Sequence, residues 1–196
     1  MAAVLNAAPL SRAGPRRVQL RAHPQGESAA VQGIAVETEL TAGGILTCRY
    51  DLQADLSQLR VPYGGAGRRA DELWRRTCFE AFVAATGATG YYELNFSPAL
   101  DWALYHFGNY RSGMRAPPLE PAPELSARAR AGGLELLASV PLDSLPLLAP
   151  WRELRIALAA VVEDAAGRLG YWALRHPPGK ADFHHPHSFT LELSRT

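Results

Sequence analysis

TCFEAFVAATGATGYYELNFSPALDW, residues 77–102, decides how this chain folds. Two short runs rich in Phe, Val, Tyr and Leu flank TGATG (86–90), which carries the small residues of a tight turn between antiparallel strands. Side chains alternate between the faces of a strand. Phe79, Ala81 and Val83 therefore share one face of the first run, and Cys78, Glu80 and Phe82 share the other. In the second run Tyr92, Leu94 and Phe96 oppose Tyr91, Glu93, Asn95 and Ser97. Closing the hairpin around Gly87 and Ala88 sets Glu80 across from Asn95 and Phe82 across from Glu93. That register leaves one face wholly apolar and gathers the polar groups on the other, whereas a slip by one residue mixes them. Burying an unpaired carboxylate costs on the order of several kcal/mol, so the acidic face meets either solvent or something that satisfies it. Planar acceptors beside aromatic rings suit a sugar-like ligand, whose hydroxyls need directed hydrogen bonds and whose C–H faces lie flat on rings.

The same strand chemistry recurs along the chain. Candidate strands cover 17–22, 31–40, 45–52, 77–84, 91–97, 102–107, 134–140, 154–162, 169–174 and 189–193, with turn markers TAGG (41–44) and EDAAG (163–167) between neighbours. No segment holds a long helical period, and the prolines of DSLPLLAPW (143–151) allow a single turn at most. About ten antiparallel strands with little helix predict an all-β, jelly-roll-like sandwich of two sheets. At 196 residues the chain reads as one domain over 16–196 behind a flexible tail, 1–15. Residues 112–133, SGMRAPPLEPAPELSARARAGG, are proline-rich and predict a long surface loop.

Composition removes several function classes. The net charge is +1 and no basic stripe interleaved with aromatics is present, which argues against nucleic acid as a partner. No apolar stretch approaches the ~18 residues of a membrane span, and the N-terminus lacks the basic start of a secretory signal. Two cysteines, Cys48 and Cys78, sit inside strand-like runs, as small core residues do. A cytoplasmic protein is expected.

Other residues invite chemistry. The run Trp102-Ala-Leu-Tyr-His-Phe107 is apolar on both faces, so its register stays open; one pairing puts His106 beside Glu93, as acid/base machinery or as a structural hydrogen bond. Arg111, in GNYRSG, either neutralises Glu80 or Glu93, grips an anionic group, or is a solvated turn residue. Pairing 154–162 with 169–174 sets Trp172 opposite Ala159, where a ring packs into the core. RHPPGKADFHHPHSF (175–189) carries four histidines and an aspartate, but adjacent His184 and His185 point apart if extended and three prolines favour an irregular loop, so no metal is expected. No nucleophile motif or phosphate loop supports an enzyme.

LWRRTCFEAFVAATGATGYYELNFSPALDWALYHFGNYRSGM (73–114) and AVVEDAAGRLGYWALRHPPGKADFHHPHSF (160–189) resemble the bacterial DOMON-like domain proteins. These belong to a β-sandwich superfamily with carbohydrate-binding module family 9 and the DOMON cytochromes. The resemblance implies a sandwich that binds a small molecule, sugar or haem, on or beside a sheet. For a sugar it implies aromatic rings with acids and amides, for which Trp74, Trp172, Glu80, Glu93 and Asn95 are available types; the stacking surface expected here is Trp74 or Trp102. Asp182 and His184 lie inside the second block and become structural or ligand-facing candidates, whereas His185 and His187 look dispensable. Haem would need Met and His, and beyond Met1 only Met114 is present. The expectation is a non-enzymatic domain that binds a carbohydrate or cell-wall fragment without a cofactor. A haem electron-transfer domain and a partner-binding sandwich without small ligand are the alternatives.

Overall fold

The computed structural model describes residues 14–26 and 29–195, so the tail expected over 1–15 lies almost wholly outside the described residues. Strands run β1 (Arg16–Ala22), β2 (Val31–Leu40), β3 (Ile45–Ala54), β4 (Cys78–Ala85), β5 (Tyr91–Phe96), β6 (Trp102–Phe107), β7 (Glu124–Arg130), β8 (Gly133–Pro141), β9 (Glu153–Glu163), β10 (Leu169–Ala173) and β11 (Leu191–Ser194). Every strand pairing is antiparallel. The only helical elements among the described residues are short 3-10 turns, and none is long and apolar enough to cross a membrane.

The strands join in the order β6-β5-β4-β9-β10-β1-β2-β3-β8-β7, with β11 alongside β9. The expected pair of separate sheets is therefore replaced by one continuous sheet that curls into a half-barrel. Its two halves connect where the end of β1 meets β10, through the registered pairs Arg21↔Ala173 and Ala22↔Trp172. They also face each other across a single core, in which Ile34, Leu46, Leu52, Leu136 and Val140 meet Phe79, Leu94, Phe96, Leu104 and Leu158. Tyr50 of β3 spans that core: its hydroxyl donates to the Glu80 carbonyl at 2.7 Å and its ring lies 5.0 Å from that of Phe79.

The β4–β5 hairpin adopts the register read from its pattern, with Glu80↔Asn95 and Phe82↔Glu93, and Gly87 takes φ +85° in the turn. β10 lies one residue from the expected register on β9, so Trp172 faces Ala160 instead of Ala159; its ring still belongs to the core. Cys48 and Cys78 are free and buried. The loop expected over 112–133 is corrected by β7, which pairs with β8 along its whole length. Its sequence, ELSARAR, does alternate, but only Leu125 and Ala127 are half covered, and among the described residues no strand lies beyond it. An edge strand with arginines and small residues carries little of the apolar signal that marks a buried one.

Candidate functional site

Both faces of β4 are buried, which the expectation of an outward acidic face did not foresee. Phe79, Ala81, Val83 and Ala85 enter the main core, while Phe82 and Ala84 enter a second apolar layer with Tyr91, Tyr105, Phe107, Ala159, Val161 and Phe183. Glu80 is 2% exposed, Glu93 5% and Asn95 0%.

Segments far apart in the chain cover this face. A 3-10 turn over Leu73–Arg75 brings Trp74 onto Tyr105, ring centres 5.6 Å apart. The turn after β6 closes between Asn109 and Ser112 and holds Arg111 at φ 51°, a left-handed conformation that an L side chain adopts at some cost. The stretch after β10 is pinned by its own polar residues: the His184 backbone N–H donates to Asp182 Oδ1 at 3.1 Å, and His185 caps a 3-10 turn over Pro186–Ser188. Asp182 joins the two covering loops. It accepts from Arg111 Nη2 at 2.8 Å, from Arg111 Nε at 3.2 Å and from the Tyr110 hydroxyl. These donors hold its carboxyl below the usual carboxylate range against the opposing effect of burial.

A cavity of about 390 Å³ remains beneath. Glu80, Glu93 and His184 supply its polar groups, Trp74, Tyr105, Phe107, Tyr171 and Phe183 its rings, and Arg75, Arg111 and Met114 also line it. Asn95 stands behind the wall and donates its amide to Glu93 Oε1 at 2.8 Å. Oε1 of Glu80 is buried with no hydrogen-bond partner. Burial, and next the neighbouring Glu93, push the Glu80 carboxyl well above its ordinary range, with Arg111 acting the other way. Glu93 is also raised by burial, opposed by the Asn95 hydrogen bond and by Arg111. Burial and then the Arg111 charge bring His184 down to about 4.

His184 is consequently a neutral ring at pH 7. Its Nε2 lies 3.6 Å from Glu93 Oε2, too long for a hydrogen bond, and a neutral ring makes no ion pair there. The Arg111 backbone N–H donates to the Tyr91 hydroxyl at 3.2 Å, and that hydroxyl shares a hydrogen bond of 2.8 Å with His184 Nδ1.

Of the residues expected from sequence, Trp74, Glu80, Glu93, Arg111 and His184 line the cavity, and Asn95 and Asp182 support it from behind. Trp102 is displaced from that role. It pairs with Phe96 on the core face of β6 and packs in the main core with Arg69 over its ring. The same register sets Tyr105, not His106, opposite Glu93, and puts His106 opposite Tyr92. Tyr105, Phe107, Tyr171 and Phe183 were not foreseen; alternation along β6 would have found the first two once its register was known. Met114 and His184, the residue types that haem would need, both line this cavity.

No family model and no curated protein matches the chain. Solved structures do. A candidate carbohydrate-binding protein from Bacteroides uniformis is similar with TM-score 0.64 and 14% identity, over 92% of this chain and 86% of its own. A carbohydrate-binding module of family 9 from Caldicellulosiruptor kristjanssonii in complex with cellotriose is similar with TM-score 0.52 and 12% identity, over 91% and 82%. One from the same organism in complex with glucose has TM-score 0.50 and 10% identity, over 87% and 79%. At these identities the likeness is one of fold: the chain has the β-rich architecture of the family 9 carbohydrate-binding modules.

Proposed function

We propose that this chain is a non-catalytic carbohydrate-binding domain whose ligand enters the cavity between Trp74, Tyr105 and the Glu80–Glu93 pair. The observation that carries the reading is a buried carboxyl oxygen, Glu80 Oε1, without a partner, on a residue that lines an aromatic-walled cavity. A buried acceptor left unmatched costs about 1–3 kcal/mol, which a ligand hydroxyl would recover. At about 390 Å³ the space falls within the roughly 300–1,000 Å³ of small-molecule sites. Aromatic rings supply flat apolar surface for the C–H faces of a sugar, and Arg111, fixed by Asp182, stands at the rim. The family 9 modules of similar fold bound to glucose and cellotriose support a saccharide in particular. The resemblance of 73–114 and 160–189 to the DOMON-like proteins points to the same superfamily. A partner-binding role without small ligand is less well supported, because the covering loops leave room beneath them.

The test is a glycan array followed by calorimetry. Saturable binding of a saccharide is expected, with Glu93→Gln weakening it about tenfold or more while the melting temperature is kept. If no glycan binds and Glu93→Gln mainly lowers the melting temperature, the acids are structural and the reading falls.

A further inference from the structure

Charge around the cavity is unevenly matched. Arg75 and Arg111, the two cationic side chains that line it, are each engaged by an acid at the rim: Arg75 Nη2 lies 2.7 Å from Glu72 Oε1, and Arg111 Nη2 lies 2.8 Å from Asp182 Oδ1. The inner acids have no such partner. Among the described residues neither Glu80 nor Glu93 forms an ion pair with an arginine or lysine; Glu93 has the Asn95 amide and the neutral His184 ring, and Glu80 Oε1 has nothing. Both carboxyls line a cavity walled by Trp74, Tyr105, Phe107 and Phe183, and Glu93 makes ionisation of Glu80 costlier. A neutral sugar offers them hydroxyl donors but no charge to offset that cost. An ammonium offers three donors and the missing charge, and the faces of Trp, Tyr and Phe attract it as well.

We propose that the saccharide taken by this cavity carries a protonated amine, as glucosamine units do, with the ammonium seated between Glu80 and Glu93. This rests on the carbohydrate reading and narrows it to amino sugars. Burial raises both inner carboxyls, and an ammonium beside them favours their ionised form.

Three β-1,4-linked disaccharides that differ chiefly at C2 separate the possibilities: chitosan disaccharide with amines, diacetylchitobiose with acetamides, and cellobiose with hydroxyls. Each is titrated calorimetrically into the full chain at neutral pH, with ethylammonium as a cation that is not a sugar. The expected result is binding of the chitosan disaccharide about tenfold or more tighter than either neutral analogue. If cellobiose or diacetylchitobiose binds as tightly, the ammonium seat is overturned and the carbohydrate reading stands. If none of the three binds, the ammonium seat is overturned, and the glycan array decides the broader reading separately. If ethylammonium matches the chitosan disaccharide, the site is a cation site and both readings fall.

Discussion

At the scale of single residues, the buried acids and His184 pull the pH dependence of stability in opposite directions. A carboxyl whose folded pKa lies above its unfolded value near 4.5 binds protons more tightly folded than unfolded. The stability from Glu80 is therefore full below about 4.5 and is lost as pH rises toward the raised folded value. His184, lowered from 6.5 to about 4, behaves the other way: its contribution grows as pH rises from 4 and is full above 6.5. Glu80→Gln removes the first effect and keeps the second, with Glu93 retaining a weaker loss of its own. The variant is expected to melt near the wild-type temperature at about pH 4.5 and progressively above it toward about pH 8. Thermal unfolding across that range checks this; parallel curves would show that Glu80 is already ionised and matched in the folded protein.

At the scale of elements, what the pattern reveals depends on how different a strand's two faces are. β4 and β5 announce their register because apolar residues fill one face and acids punctuate the other, and the structure adopts that pairing. β6 is apolar on both faces, so nothing in its sequence distinguishes Tyr105 from His106 as the neighbour of Glu93. The pairing of β5 with its neighbour decides that, and with it the placement of Trp102 in the core. β7 escaped because an edge strand buries little. The same logic predicts how these strands tolerate charge. Ala81→Asp puts a carboxylate into the main core, where Ala81 is 0% exposed, and is expected to destabilise by at least about 3 kcal/mol or to prevent folding. Ala127→Asp on half-covered β7 is expected to cost less than about 1 kcal/mol. Denaturant midpoints of the two variants check the contrast, and a comparable loss at Ala127 would mean that β7 is covered in solution.

At the scale of the molecule, the site depends on contacts that no local rule supplies. Glu93 of β5 meets His184 of the loop after β10, and Asp182 reaches back to Arg111 and Tyr110; family resemblance, not spacing, singles out Asp182 and His184. The sheet that organises these contacts is least secured at its seam. β4 and β9 share eight registered pairs, Cys78↔Val161 through Ala85↔Leu154, whereas β1 and β10 share two, extended by the His23 N–H donating to Tyr171 at 2.8 Å. Short ladders open at lower free energy than long buried ones, because fewer bonds and less apolar surface hold them shut. The seam also borders the cavity, because Tyr171, whose carbonyl takes the His23 N–H, lends its ring to the wall. Native-state hydrogen exchange is expected to show the His23 amide exchanging about a hundredfold or more faster than amides in the middle of β4 and β9. Uniform exchange across the seam and β4–β9 would instead show that the half-barrel opens as one cooperative unit, with its two halves tied by the shared core and not by the two-pair ladder.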